Sequence, residues 1–401
     1  MKHILLSAAA FTLIFSACEK KPETENSAVR VTEVKHSKTV KQQTINNCWI
    51  YSAASWMESL SAITTEEELN VSESYWAYWH WYHQLAVDRT RSLEVGGGWG
   101  KAKEIIKEYG WVKESEFIAA ESGAVLSERQ ECAEAKVLEE LKEGGRLWFA
   151  PGADNFKEIR SPEKVRAVLD EAFTCKEENQ KIDGLAVQKE HKKSAEGTMF
   201  KVPGKSDLQS LAVTLEEWDY IQPKDNFNSK SKKALPTARD QRYYDALEKA
   251  IKQALNDGQP VVIGFQIDFN AVDQNGLFNL STYAAQGAGT KGAHMVVLSD
   301  YTVKDAPNYG TLPEGNLSAE KKQAAIEGKL EYLVAKNSWG STESRKDRPW
   351  IRDGYSRISW DFLTKGFVVA ETSYDGVTSE VYSQILTAVV IPKQYKVIWT
   401  P

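Results

Sequence analysis

The chain has 401 residues, 42% of them hydrophobic, which is enough to bury a sizeable core. Its formal net charge is −6 at pH 7, and this mildly acidic balance argues against a nucleic acid as the partner. No internal repeat is visible. After the apolar run near the first residue, no further segment is long and apolar enough to span a membrane.

The first residues have the pattern of a bacterial export signal. Lys2 precedes an apolar run at positions 4–15 that is too short to span a bilayer, which predicts a signal peptide over residues 1–17. Ser16-Ala17-Cys18 resembles the lipobox of bacterial lipoproteins, although Phe15 stands where Leu is usual. Cleavage before Cys18 would leave a lipidated cysteine that anchors the protein, and plain secretion is the alternative.

Residues 18–38 are rich in Lys, Glu, Thr, Ser and Asn, and we expect them to form a flexible tether in front of a folded domain that begins at residue 39. The predicted location is the bacterial cell envelope, periplasmic or on the outer surface, with the membrane as a partner through the lipid. Only 30 residues separate Cys18 from Cys48, too few for a large folded propeptide, so activation by cleavage is not expected.

A reactive cysteine is predicted at the start of the first helix. Cys48 precedes a run of good helix formers at positions 49–60, and the N–H groups and positive dipole at a helix N-terminus lower the pKa of a thiol. Gln42 lies six residues earlier, and a nearby amide side chain of this kind can donate a hydrogen bond to an oxyanion. Taken alone, the pattern also fits a buried, inert cysteine.

Two motifs follow the first helix. Gly96 and Gly97 belong to a Gly-rich turn, where a backbone without Cβ atoms can approach and hydrogen-bond an extended peptide; a flexible turn is the alternative. His80-Trp81-Tyr82-His83 has a spacing that can bind a metal ion, but no cysteine or carboxylate cluster lies nearby in the sequence. We therefore predict helix packing for this motif, no metal site and no cofactor.

Residues 112–240 form an elaboration in which we recognise no chemistry. Period and Ser caps predict two amphipathic helices there, at Ser127–Leu141 and Ser161–Phe173. Cys132 and Cys175 both fall in this region, and we favour a disulfide between them, with two buried thiols as the alternative.

The partners of the cysteine are predicted on buried strands. His294 lies at the start of an apolar, β-branched run that reaches residue 301, and Asn337 follows a similar run that begins at residue 333. In this arrangement His294 would take the thiol proton and later protonate a leaving amine, and Asn337 would orient the imidazole. Trp339 would shield their hydrogen bond from water.

The order Gln42, Cys48, His294, Asn337 resembles that of the papain-like cysteine peptidases. The sequence departs from papain at Ile45, where papain-type enzymes carry a disulfide-bonded cysteine, and in the 246 residues from Cys48 to His294, against roughly 130 to 150 in that family. Three further segments follow the order of the bleomycin hydrolase and aminopeptidase C branch: Ser72–Trp79, Gly96–Trp99 and Ile105–Trp111.

The resemblance implies an α+β fold of two lobes with the active-site cleft between them. A helical lobe would carry Cys48, and an antiparallel β-barrel lobe would carry His294 and Asn337. One catalytic domain is expected over residues 39–401, with a mostly helical insertion at about 112–240.

The resemblance also implies an activity, the hydrolysis of peptide bonds through a thioester acyl-enzyme, with a peptide or protein as substrate. In the family the Gly-rich turn lies beside the substrate cleft, which makes Gly96 and Gly97 candidate substrate-binding residues. Two alternatives stay open: a papain-fold transpeptidase or cyclase, in which an amine resolves the thioester, and a non-catalytic peptide-binding pseudoenzyme. Aminopeptidase and endopeptidase modes are equally open, as is the oligomeric state.

Overall fold

The computed structural model describes residues 34–124, 126–175, 181–223, 238–342, 348, 351–372, 378–383 and 385–395. These residues form an α+β fold of helices and a large sheet. The predicted signal peptide, Cys18 and most of the predicted tether lie outside the described residues. Within the described part, no helix combines the length and the apolarity that crossing a membrane requires.

The helices are α1 (Cys48–Thr64), α2 (Glu73–Tyr82), α3 (Trp99–Tyr109), α4 (Glu114–Phe117), α5 (Glu128–Glu140), α6 (Phe156–Ile159), α7 (Pro162–Thr174), α8 (Gly184–Glu190), α9 (Leu211–Glu217), α10 (Ala238–Asn256), α11 (Leu280–Gln286), α12 (Ala319–Glu327) and α13 (Trp360–Lys365). A single π-helical turn, His83–Val87, continues α2. The strands are β1 (Met199–Phe200), β2 (Gln209–Ser210), β3 (Trp218–Ile221), β4 (Val261–Asp268), β5 (Leu277–Phe278), β6 (Lys291–Ala306), β7 (Gly310–Leu312), β8 (Lys329–Lys336), β9 (Tyr355–Ser359), β10 (Phe367–Thr372), β11 (Thr378–Ser383) and β12 (Leu386–Pro392).

The main sheet has the order β3-β12-β4-β6-β8-β9-β5, with β7 paired to β6. Its pairs are antiparallel except for the short parallel pair of β5 with β9. Strand β6 lies between β4 and β8, where His294 is opposite Phe265 and Val297 is opposite Lys336. The predicted histidine and asparagine strands are therefore neighbours.

The sheet packs on both faces, as the alternation of side chains along β6 makes clear. Met295 and Val297 belong to a core shared with α1, whereas Val296 and Leu298 belong to a second core that includes α10. Successive residues of a strand point to opposite faces, so one strand contributes to both cores. The first core, in the helical lobe, contains seven fully buried tryptophans: Trp49, Trp56, Trp76, Trp79, Trp81, Trp99 and Trp218.

The insertion is mostly helical, and its two predicted amphipathic helices are confirmed as α5 and α7. Cys132 on α5 and Cys175 at the end of α7 form a disulfide, which was the favoured alternative. The insertion also contributes β3, which pairs with β12 at one end of the main sheet. This strand was not predicted from the sequence.

The last five residues of the predicted tether, 34–38, pack against the folded domain. Val34 is fully buried and its N–H donates to the carbonyl of Ser299 on β6, at 3.0 Å. The ammonium group of Lys336 donates to the carbonyl of Ser37, at 2.8 Å. Polar composition suggested a solvated segment, but residues 34–38 pack on both lobes, because their backbone groups and one apolar side chain find partners there.

Candidate active site

Cys48 is the first residue of α1, as the sequence predicts, and among the described cysteines it is the one not in a disulfide. The helix is longer than expected and reaches Thr64. The sulfur is buried, and hydrogen bonding to the backbone of Met295, of Trp49 and of Cys48 itself favours its thiolate form. Met295 follows His294 on β6, so these contacts bring the nucleophile to the strand that carries the predicted base.

The turn before the nucleophile is held by a glutamine that the sequence analysis missed. Asn47 donates through Nδ2 to Oε1 of Gln130 on α5, at 2.6 Å. The amide nitrogen of Gln130 donates in turn to the Tyr51 hydroxyl, at 3.3 Å, and to Oγ of Ser74, at 3.0 Å. Gln130 is fully buried, so the helical insertion fixes the start of α1 directly. A lone Gln in an amphipathic helix gives no sequence signal for this role.

His294 and Asn337 meet as predicted from their strands. Nε2 of His294 lies 2.8 Å from Oδ1 of Asn337. The Asn337 amide is oriented by two other bonds: Oδ1 accepts from the Ser338 N–H at 2.7 Å, and Nδ2 donates to Oγ of Ser356 at 2.9 Å. Because Oδ1 can only accept, Nε2 of His294 carries the proton and Nδ1 is left with a lone pair. This is the tautomer that a general base needs.

Two aromatic rings enclose the imidazole. Trp339 stacks on His294, with ring centroids 4.6 Å apart and an interplanar angle of 21°. Phe265 meets the same ring edge-on at 5.8 Å. Both aromatic residues are buried, so the bond between His294 and Asn337 lies in a medium of low polarity, where it is stronger than in water.

The segment that carries Gln42 is paired to the segment that carries Asn337. Gln42 forms a backbone bridge with Trp339, and the N–H of Gln43 donates to the carbonyl of Ser338 at 2.9 Å. The side chain of Gln43 is used locally: Nε2 donates to the Ile45 carbonyl at 2.9 Å and Oε1 accepts from Oγ of Ser338 at 2.6 Å. Gln43 therefore has a structural role in the loop before Cys48.

Burial moves the pKa values of Cys48 and His294 apart. It raises the pKa of the Cys48 thiol to about 11, although the nearby backbone N–H groups oppose the shift. It lowers the pKa of His294 to about 4, although the hydrogen bond to Asn337 opposes the shift. Neither group ionises alone near pH 7. Transfer of the thiol proton to His294 would create both charges together, and two opposite charges in a buried site attract each other strongly.

A buried ion cluster lies behind the site, which the sequence analysis also missed. Lys41, next to Gln42, pairs with Glu114 and lies 3.3 Å from Glu73. Lys336, next to Asn337, lies 3.6 Å from Glu58 on α1. Burial raises the pKa of Glu58 to about 7 and lowers that of Lys336, each against the attraction of the other. The cluster joins α1, α2 and α4 to β8, the strand that ends at Lys336, directly before Asn337.

The Gly-rich turn and the His80–His83 motif after α1 lie in distinct environments. Gly97 packs against the indole of Trp49, where an added Cβ would lie 2.5 Å from a ring carbon, and Gly96 is exposed beside it. His80 is buried, whereas His83 is bonded to the exposed Asp88 at 3.2 Å. Among the described residues, no three His, Cys, Asp or Glu side chains are grouped to hold a metal ion.

Comparison with known proteins finds similar solved structures and no matching family. No protein-family model matches the sequence, and no curated protein is a match. The chain is similar to PepW from Lactobacillus rhamnosis HN001, with 13% identity over 93% of this chain and 83% of that one, and a TM-score of 0.45. It is also similar to xylellain, a cysteine protease from Xylella fastidiosa, with 13% identity over 90% and 85% of the two chains and a TM-score of 0.38. SERA5E from Plasmodium falciparum has the same identity over 88% and 89%, and a TM-score of 0.38. At this level of similarity, a functional assignment depends on the geometry of the site.

Proposed function

We propose that the protein is a papain-like thiol peptidase in which Cys48 is the nucleophile, His294 the general base and acid, and Asn337 the residue that orients the imidazole. The observation that carries the proposal is the bond between Nε2 of His294 and Oδ1 of Asn337, which leaves Nδ1 as a base on the strand whose next residue, Met295, contacts the Cys48 sulfur. A structural histidine would not need this tautomer or this neighbour.

The chemistry proceeds in two steps that conserve atoms and protons. Nδ1 of His294 takes the proton of Cys48, the thiolate attacks the scissile carbonyl carbon, and the proton passes to the leaving amine as the C–N bond breaks. A water molecule, deprotonated by the same nitrogen, then hydrolyses the thioester and restores the thiol. Gln42 and the backbone N–H of Cys48 stabilise the oxyanion in both steps.

The proposal is tested by incubating the purified protein with a peptide library and identifying the products by mass spectrometry. We expect cleavage by the wild-type protein and none by Cys48→Ala, with unchanged circular dichroism, because loss of one sulfur at a helix start removes little packing. Ser52→Ala, one helical turn further along α1, is the matched control and should retain activity. Equal cleavage by wild type and Cys48→Ala would contradict the proposal.

A transpeptidase or cyclase of the same fold is the second candidate, because the proposed acyl-enzyme is common to both reactions. The two are separated in one experiment by adding an amino acid amide to the peptide library. Products that contain the added amine indicate transpeptidation, and products that gain only water indicate hydrolysis. A pseudoenzyme would give neither product and would still bind peptide.

We further propose that the protein is anchored in the bacterial cell envelope by lipid on Cys18. Support comes from the lipobox-like Ser16-Ala17-Cys18 after a short apolar run. Radiolabelled palmitate should be incorporated in cells that express the wild-type chain and not in cells that express Cys18→Ser. Release of both proteins into the medium would favour plain secretion.

A further inference from the structure

The Gly-rich segment after α2 lies as an open backbone edge beside the nucleophile. Gly96 and Gly97 are exposed, and their N–H groups donate to no residue that the structure describes. Position 97 must be Gly because a Cβ there would meet the indole of Trp49, which follows Cys48 directly. The segment is thus pressed against the start of α1 with its backbone turned to solvent.

Two buried side chains, those of Gln84 and Trp49, hydrogen-bond to the backbone just before the two glycines. Gln84, in the π-helical turn, pairs with the backbone of Glu94 as a neighbouring strand would: Oε1 accepts from the Glu94 N–H at 2.9 Å, and Nε2 donates to the Glu94 carbonyl at 2.7 Å. The indole N–H of Trp49 donates to the carbonyl of Val95 at 3.0 Å. Glu94 and Val95, the two residues before Gly96, are therefore both held by hydrogen bonds to buried side chains.

His80 completes the support. The nitrogen of the Gln84 amide lies 2.9 Å from Nε2 of His80, and the same Nε2 lies 3.1 Å from the Glu94 carbonyl oxygen, so the imidazole contacts both the amide and the backbone group that the amide holds. Burial lowers the pKa of His80 to about 4, so the ring is neutral at physiological pH. The ring also packs edge-on against Trp49, with centroids 4.9 Å apart.

We infer that His80 and Gln84 are positioning residues that hold Gly96 and Gly97 as a rigid edge for the backbone of an extended peptide. The inference rests on the proposed peptidase function. A peptide lying along the edge would supply the acceptors that the Gly N–H groups lack, and an edge fixed in advance loses little entropy on binding. The substrate class is therefore a peptide with several residues next to the scissile bond, in preference to a single-residue amide.

The test compares a tetrapeptide amide with a single-residue amide that has the same leaving group. Gln84→Ala should raise KM for the tetrapeptide roughly tenfold while kcat and the KM of the short substrate change less than about twofold. The rate of Cys48 alkylation by iodoacetamide should not change, because the nucleophile itself is untouched. His83→Ala, on the same turn but bonded to exposed Asp88, is the matched control and should equal wild type.

A second pair of variants tests the edge without altering Gln84, in case Gln84→Ala unfolds. Gly97→Ala places a methyl group against Trp49 and should give the same rise in KM, whereas Gly98→Ala, where an added Cβ meets nothing within 4 Å, should be silent. Equal KM in Gly97→Ala and Gly98→Ala would overturn the inference. So would parallel losses of kcat and alkylation rate in Gln84→Ala, since they would assign the network to the nucleophile.

Failure of the proposed peptidase function can be distinguished from failure of the inference about His80 and Gln84. If the wild-type protein cleaves no peptide, binding of the same tetrapeptide to the Cys48→Ala protein is measured by calorimetry. A dissociation constant that rises about tenfold on adding Gln84→Ala would retain the inference for a peptide-binding protein. No binding, or binding that Gln84→Ala does not change, would overturn it.

Discussion

In the helical lobe the proposed nucleophile is the first residue of a helix, whereas in the sheet lobe the proposed base lies on a strand and the amide proposed to orient it lies just beyond a strand end. Cys48 depends on the N–H groups at the start of α1 and on Gln130 from the insertion, which holds the preceding turn. His294 and Asn337 depend on backbone pairing of β6 with β8, which has no comparable freedom. The sheet lobe is thus positioned by its ladder and the helical lobe by side chains.

The hydrophobic cores of the two lobes also differ in the residues that fill them. Among the described residues, the core of the helical lobe contains eight tryptophans and adjoins the buried ion pair of Lys41 with Glu73, whereas the core of the sheet lobe contains two tryptophans. Polar side-chain networks have few alternative partners once buried, so they specify geometry where no ladder exists. We expect substitutions in the helical lobe to act through such networks and substitutions in the sheet lobe to act on the base itself.

The largest expected effect is that of His294→Ala on the reactivity of Cys48. Without the base, the thiol keeps the raised pKa of about 11 that burial imposes, so about one thiol in ten thousand would be ionised at pH 7. Alkylation by iodoacetamide should then slow roughly a thousandfold or more and recover only above pH 10. In wild type, alkylation should persist below pH 8. Identical pH profiles would show that the two lobes do not share a proton.

The next effect concerns the loop that joins the lobes. Gln42→Ala should lower kcat about a hundred- to a thousandfold, or roughly 3 to 4 kcal/mol, because an oxyanion donor is lost. Gln43→Ala should leave kcat near wild type but lower the unfolding free energy by about 1 to 2 kcal/mol, since its bonds to Ile45 and Ser338 are lost. Steady-state kinetics and urea unfolding of both variants decide this. If Gln43→Ala lowers kcat strongly instead, the oxyanion donor is Gln43 and not Gln42.

The elements that carry the candidate site could be predicted from the sequence because each candidate residue belongs to a short local pattern. Cys48 precedes an uninterrupted run of helix formers, and His294 and Asn337 adjoin β-branched apolar runs, so period and propensity indicate the right elements. Helix ends and strand ends are decided by tertiary contacts, which is why α1 continues to Thr64.

The supporting groups could not be predicted because their partners are distant in sequence. Lys41 and Glu114 are 73 residues apart, and nothing local marks either as buried. Glu58 gave the one available signal, a lone acid within the apolar α1, which a buried counter-ion such as Lys336 explains. The packing of residues 34–38 depends in the same way on groups supplied by β6 and β8, which polar composition cannot reveal.

A smaller effect tests how firmly the sheet lobe holds its base. Asn337→Ala should lower kcat about tenfold, because the amide orients His294 and transfers no proton, and Ser356→Ala should lower it only a few-fold by loosening the amide. Both variants should retain the iodoacetamide reactivity of Cys48 to within an order of magnitude. The comparison is made with the same peptide substrate. A Ser356→Ala loss as large as that of Asn337→Ala would mean that Ser356 fixes the imidazole more directly than the distances suggest.

The smallest effect concerns the segment that crosses both lobes. His36 packs beside Ser59 of α1, with Nδ1 2.7 Å from its hydroxyl, and because that hydroxyl donates to the Ser55 carbonyl, Nδ1 must donate to it. Nε2 is therefore unprotonated, and it is buried. Burial, with the charge of Lys336 adding to it, lowers the pKa of His36 from 6.5 to about 3, although the backbone of Leu298 opposes the shift.

The folded-state pKa of His36 is depressed, so between pH 6.5 and 3 the unfolded chain binds a proton that the folded chain does not. The contribution of neutral His36 to the free energy of unfolding is therefore complete above pH 6.5. It falls as the pH drops, by at most about 1.4 kcal/mol per pH unit. His36→Asn keeps a donor for Ser59 and removes the titration, so the slope of unfolding free energy against pH, measured by urea unfolding between pH 6 and 5, should be shallower than in wild type by about 1 kcal/mol per pH unit. His191→Asn, at an exposed position, should keep the wild-type slope. Equal slopes in all three proteins would mean that the link between the lobes does not loosen in acid through His36.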